Sequence, residues 1–290
     1  MFHRLSMCLA FTFVAILPVS VNAATITGLT ADNQLLTFNS SNSSVITNTV
    51  GVTGLGDYML QDIDFRPSTK ELYGVGVNGM GQGAIFKINT VTGQATSVGL
   101  TGSPFNLSGN IGIDFNPVPD ALRVDTTADQ NYRVTFATPT TNVNIDGNLA
   151  YAAGDVNFGK NPSITTIGYT NNFAGTTSTT LFGIDSNLNT LVRQQPPNNG
   201  VLNTVGSLGF NISGDSGFDI TADNNAFIAD LDRLYSLNLS TGQATFIGQI
   251  GSGSPDIIGL AVAVPEPSMF YLLSTGIAGL IAKRRFGPRK

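Results

Sequence analysis

The chain has 290 residues, 41% of them apolar and only 11% charged, with a formal net charge of −5. That length admits one large all-β domain or two smaller ones, and the abundance of Gly, Ser, Thr and Asn suits short strands and tight turns better than helices. The single Cys (Cys8) and single His (His3) both lie in a leading segment read below as removed. A mature chain without them has no disulfide, no thiolate or imidazole metal site and no Ser-His or Cys-His nucleophile pair.

Residues 1–23 have a short basic start (His3, Arg4), an apolar run at 9–19 and a small-residue end, with Val21 and Ala23 at the positions a signal peptidase reads before Ala24. This is the pattern of a secretory signal peptide. From residue 24 to residue 266 nineteen acids stand against eight bases, a net charge of −11 for the exported part. That balance argues against nucleic acid or an anionic lipid surface as partner. Neutral or cationic partners, metal ions included, fit better.

Residues 62–99 (DIDFRPSTKELYGVGVNGMGQGAIFKINTVTGQATSVG) read as one four-stranded sheet, with strand signals at 63–65, 72–77, 84–89 and 95–98 separated by Pro, Gly or Asn turns. Its first strand recurs as IDF at Ile63, IDF at Ile113, IGY at Ile167, FDI at Phe218 and IGL at Ile258, and its last turn recurs as TGQAT at Thr92 and Thr241. Periods of about 40 to 54 residues with four strands per copy are the mark of a β-propeller. A β-sandwich or β-helix is the competing architecture.

The chain opens with only the last three strand signals of a unit (26–30, 35–39, 45–50) and closes with only the first (257–264). Joined, they complete one blade and remove the open sheet edges. The expectation is therefore an all-β, five-bladed propeller over residues 24–264, whose other blades span 60–101, 110–147, 163–208 and 215–250.

Acids recur on the first strand of the repeat: Asp64, Asp114 and Asp219 in three blades, with Asp62 two residues before Asp64 on the same face. First strands line a propeller's channel, so Asp62, Asp64, Asp114 and Asp219 are candidate oxygen ligands for a metal such as Ca²⁺. Two of Asp64, Asp114 and Asp219 are alternatively a general acid and base acting on a glycoside. The structural alternative is that each Asp accepts hydrogen bonds from backbone N–H groups of a neighbouring turn. A second constellation, Asp114, Asn116, Arg123, Asp125, Asn131 and Arg133, falls within one blade, where Arg can either pair internally or present its fork to an anionic or sugar ligand. The long loop at 146–162 adds Asp146, Asp155, Asn157 and Lys160.

After Val264 the character changes to PEPSMFYLLSTGIAGLIAKRRFGPRK, an apolar run at 269–282 followed by Lys283, Arg284 and Arg285. The run is short for a stable span, and its basic end is of the kind retained in the cytoplasm. With Pro265, Glu266 and Pro267 ahead of it, the tail closely resembles the PEP-CTERM sorting signal of Gram-negative bacteria. The resemblance implies recognition and cleavage by an exosortase and a transient inner-membrane anchor. It further implies release or attachment at the cell surface, usually in organisms that make extracellular polysaccharide.

The exported part resembles the DUF4394 family of propeller-like domains of unknown function. The residues that carry this are Gly112-Ile113-Asp114-Phe115-Asn116-Pro117, Asp120-Ala121-Leu122-Arg123-Val124, Gln130-Asn131-Tyr132-Arg133-Val134, Asp146-Gly147-Asn148-Leu149 and Tyr169-Thr170-Asn171. Ala121 departs from the charged residue more usual there. This resemblance supports the fold and supplies no activity. The function expected is a non-catalytic binding or structural module at the cell surface or in the extracellular matrix, with extracellular polysaccharide as a possible partner. A carbohydrate-active hydrolase using channel carboxylates is the alternative.

Overall fold

Each short run of β-branched and aromatic residues between Gly, Asn or Pro turns forms a strand, and the turns are tight enough that consecutive strands pair antiparallel. The computed structural model describes residues 23–137, 140–253 and 255–264. The signal segment up to residue 22 lies outside them, as does the sorting tail from Pro265 onward, Glu266 and Pro267 included. Among the described residues no helix is long and apolar enough to cross a membrane, and the apolar run at 269–282 is not among them.

The chain enters as β1 (Thr25–Thr30), β2 (Gln34–Asn39) and β3 (Asn42–Gly51), then forms a second blade from β4 (Tyr58–Phe65), β5 (Leu72–Asn78), β6 (Gly83–Ile88) and β7 (Ala95–Val98). A short β8 (Leu100–Gly102) leads to blade 3, β9 (Ile111–Asn116), β10 (Ala121–Thr126), β11 (Asn131–Ala137) and β12 (Thr140–Ile145). After β13 (Ala150–Tyr151) comes blade 4, β14 (Ile164–Tyr169), β15 (Leu181–Asp185), β16 (Thr190–Gln194) and β17 (Val201–Ser207). Blade 5 is β18 (Ser216–Ile220), β19 (Ala226–Asp230), β20 (Arg233–Leu237) and β21 (Ala244–Gln249). Finally β22 (Ile257–Val262) pairs antiparallel with β1, Ile26 opposite Val262 and Gly28 opposite Leu260.

The five sheets are therefore the blades expected from the repeat, and blade 1 is built from both ends of the propeller. Inner strands β4, β9, β14, β18 and β22 touch one another in a closed cycle. Two details go beyond the repeat. The linkers β8 and β13 run parallel to β12 and β17, so the segment leaving one blade becomes the outermost strand of the next. Each covers an edge that would otherwise expose unpaired backbone groups.

A blade lies between two neighbours, so both faces of its inner strands are buried and an apolar core fills most interfaces. Leu29 and Leu35 meet Leu60 and Ile63 between blades 1 and 2, and Tyr73 and Val75 meet Ile113 and Phe115 between blades 2 and 3. Ile184 and Leu191 meet Phe218 and Ile228 between blades 4 and 5, and Phe227 and Leu234 meet Ile26 and Leu260 across the closure.

The junction of blades 3 and 4 differs. Its apolar cluster comes from blade 4 (Ile167, Tyr169, Leu181, Val192) and the linker (Leu149, Tyr151), with nothing from blade 3. The reason is strand alternation: β9 and β10 turn Ile113, Phe115, Leu122 and Val124 toward blade 2, which leaves Asn116, Asp114 and Gly112, opposite Ala121, Arg123 and Asp125, for the other face. Blade 3 is thus apolar on one side and polar on the other.

Gly112 sets how closely that polar face approaches blade 4. A Cβ there would lie 2.5 Å from Thr166 Cα and 2.9 Å from Ile167 N, both backbone atoms that cannot step aside. Gly112→Ala is expected to cost about 1 to 3 kcal/mol through overpacking, read as a lowered melting temperature. Melting at the wild-type temperature would contradict this contact.

Candidate functional site at the ring axis

Because the repeat places an acid at one position of the inner strand and the ring brings inner strands together, Asp62, Asp64, Asp114 and Asp219 all lie close to the axis. Each is only 1% exposed. Most are held by the neighbouring strand's backbone. Asp62 accepts from Ile63 N–H and from Ile113 N–H on β9, both at 2.9 Å, and Asp64 accepts from Phe115 N–H at 2.7 Å. Asp219 accepts from Ile220 N–H and, across the closure, from Val262 N–H. These carboxylates tie one blade's inner strand to the next: they accept from backbone as the structural alternative holds, but the donors lie on adjacent inner strands and not in a neighbouring turn.

Asp114 is the exception. Among the described residues neither of its oxygens has a hydrogen-bond partner, and Oδ1 of Asp64 has none either. Tyr169 N–H approaches Asp114 without reaching hydrogen-bond geometry. One oxygen each of Asp64, Asp114 and Asp219 lies within 4.8 Å of the others, and Asp62 does not join this group. Burial first, and then the charge of Asp219 on Asp64 and of Asp64 on Asp114, hold both carboxyls well above the usual range. Burial likewise raises Asp62 and pushes Asp219 up to about 7 despite its backbone donors.

The second constellation resolves into the polar seam between blades 3 and 4. Arg123, 2% exposed, donates from Nη1 to Asn131 Oδ1 (2.5 Å) and Asp146 Oδ2 (2.8 Å), and from Nη2 to Asn198 Oδ1 (2.6 Å) on blade 4's outer turn. Arg133 reaches the same Asp146 at 3.1 and 3.2 Å, and Asn131 donates to the carbonyls of Gly147 and Pro197. Asp125 lies beside Arg123 with both oxygens unpartnered and is pushed up to about 7 by burial, against the pull of the Arg123 charge. Asn116 sits at the far end of β9, where its side chain caps the following turn through Val118 N–H.

Internal pairing thus occupies Arg123, Asn131 and Arg133. The 146–162 loop is pinned in the same manner, with Asp155 accepting from Thr204 N–H and Oγ1–H and Lys160 donating to Asn157. Asn198, which Arg123 reaches, and Tyr169, in the apolar cluster of the junction, escape a reading confined to one blade because they come from the next. Tyr169 alone left a trace, inside a family motif.

The sequence matches the domain-of-unknown-function family DUF4394 over residues 34–261. The chain belongs to this family. No curated protein matches it. Solved structures similar to the DUF4394 domain include a symmetrical protein of de novo evolutionary emergence, at 17% identity and TM-score 0.49, with 84% of this chain and all of that one covered. A protein of unknown function from Bacteroides thetaiotaomicron is similar at 14% identity and TM-score 0.48, covering 84% and 68% of the two chains. The nidogen/laminin complex contributes a chain at 10% identity and TM-score 0.42, covering 84% and 99%. At these scores none of them bears on function, and the blade count rests on the strand pairing of the DUF4394 domain itself.

Two outcomes follow from this geometry. Arg123→Leu strips donors from Asn131, Asp146 and Asn198 inside the seam, so it is expected to destabilise the domain by about 3 to 5 kcal/mol, seen in chemical denaturation. A loss below about 1 kcal/mol, the size of a surface pair, would show that the seam is not held by this network.

The second concerns pH. Asp125 and Asp219 rise from an ordinary 3.8 to about 7 on folding, so their contribution to stability is complete below pH 3.8 and is lost as the pH climbs through about 7. Asp62, Asp64 and Asp114 act in the same direction. The lowered acids Asp32, Glu71, Asp120 and Asp155 oppose them, but these lie at or near the surface, where solvent screens them. In the presence of chelator the domain should melt lower at pH 8 than at pH 5, and the reverse order would show that the buried acids do not govern the balance.

Proposed function

We propose that this chain is an exported, non-catalytic binding or structural module, secreted across the inner membrane and sorted by an exosortase to the cell surface or extracellular matrix. The observation that carries the non-catalytic reading is the burial of the axial acids. Their oxygens lie within 4.8 Å of one another, close to the carboxyl separation of about 5 Å used by retaining glycosidases. Yet each residue is 1% exposed, and Asp64 and Asp219 are bonded to neighbouring backbone, so no sugar reaches the pair. The same geometry removes the support for a carbohydrate-active hydrolase using Asp64, Asp114 and Asp219.

Export rests on the sequence pattern, and the fold is compatible with it. β1 begins at Thr25 and β22 ends at Val262, with Ala263 N–H bonded to Thr25 O at 2.9 Å. A signal peptidase cutting before Ala24 and an exosortase cutting near Pro265 would therefore release the ring with its closing blade whole. For a ligand, neutral extracellular polysaccharide fits best. A depression lined by Asn110, Thr127, Ser163, Thr165, Ser186 and Asn187 offers hydroxyls and amides without a charged side chain, and the acidic exported part disfavours nucleic acid.

Replacing Pro265, Glu266 and Pro267 by Ala is expected to leave the protein uncut in the inner-membrane fraction, while the unaltered chain appears shortened at the surface or in the medium. Normal release of the triple variant would refute the sorting assignment.

A further inference from the structure

Three carboxylates from three blades meet on the axis: Asp64 from blade 2, Asp114 from blade 3 and Asp219 from blade 5. Oxygens that share one Ca²⁺ lie at most about 5 Å apart, twice the usual metal–oxygen distance. The three present oxygens within 4.8 Å of one another, inside that limit.

Convergence alone carries little, because acids also cluster without an ion. The second observation is that the group is not otherwise satisfied. Among the described residues both oxygens of Asp114 and Oδ1 of Asp64 have no donor, although both residues are 99% buried. A buried carboxylate with neither donor nor counter-charge is among the costliest arrangements a fold can hold. Arg123, opposite Asp114 in the β9–β10 register, does not neutralise it, since both its terminal nitrogens turn outward to Asn131, Asp146 and Asn198. The competing occupant is a proton on one of these neighbouring carboxyls, whose oxygens lie within 4.8 Å of one another.

We propose that the ring axis binds one hard divalent cation, with Asp64, Asp114 and Asp219 as its protein ligands and Ca²⁺ as the ion that fits them best. An all-carboxylate set disfavours soft metals. Ca²⁺ accepts irregular carboxylate-rich shells, whereas Mg²⁺ demands near-ideal octahedral geometry and keeps most of its waters. Bound there, the ion cross-links blades 2, 3 and 5 at their inner strands. This site goes beyond the surface role proposed above and does not depend on it.

The test uses the purified full-length chain. Elemental analysis after exchange into Ca²⁺-containing and then metal-free buffer is expected to find one Ca²⁺ per chain. At a hundredfold excess over Kd, Ca²⁺ should raise the melting temperature by roughly 5 to 10 °C, and chelator should reverse the rise. Mg²⁺ should shift it less. Asp114→Asn should lose the shift, while Asp125→Asn, a buried acid off the axis, should keep it. Absence of stoichiometric metal together with no shift would overturn the proposal in favour of a shared proton, as would a shift that survives Asp114→Asn. Should Asp114→Asn not fold, the stoichiometry of the wild-type chain decides.

Discussion

The pairing of β22 with β1 governs what happens at the centre of the ring. With Ile26 opposite Val262 and Gly28 opposite Leu260, the last inner strand is fixed to the first three strands of the chain, and the five inner strands close on themselves. Closure is what turns a repeated acid into a cluster: a residue at one position of the repeat points past its own blade, and in a closed ring that direction leads to the next inner strand. Asp219 demonstrates the dependence most directly, because its partner Val262 belongs to β22 and is in place only when the ends of the propeller have met.

Blade 3 shows what strand alternation costs and contributes. Its blade 2 side joins an aromatic and aliphatic cluster, reinforced by the fork of Arg66 on Asp120 (2.8 and 2.6 Å) with the guanidinium 4.5 Å above the Phe136 ring. Its blade 4 side contributes nothing to the apolar cluster at that junction and relies on Arg123, Asn131 and Asp146 bonded to one another and to blade 4's outer turn. Buried polar networks add less to stability than apolar contact of the same size, but they tolerate few alternative arrangements. The seam therefore fixes how blade 4 sits on blade 3 more than it strengthens the ring.

The axial acids serve the fold before any ligand. Asp62, Asp64 and Asp219 satisfy backbone donors that face the centre of the ring. In blade 4 the equivalent position is Gly168, and in blade 1 it is Ala261, since Asp219 bonds the following Val262 N–H just as Asp64 bonds Phe115 N–H. Gly259 stands at the Asp62 position, where a Cβ would lie 2.5 Å from Asp62 Oδ1. Of the three axial acids, Asp114 is the one left without a donor among the described residues.

The sequence by itself determined the number of blades, their boundaries and the closure from both ends. Those features depend on a two-residue side-chain period and on turn residues, which act within a few positions of one another. It also placed Asp64, Asp114 and Asp219 at the axis, because equivalent positions in a repeat must fall together. Only the tertiary structure decided which acids are satisfied and by what. Asp62 and Asp64 look alike on one strand, yet Asp62 has both oxygens filled and Asp64 has one left bare. Arg123 finds Asn198 across 75 residues of chain. Those pairings are set by the angle and distance between neighbouring blades, which arise from ring closure and have no local signal in the order of residues.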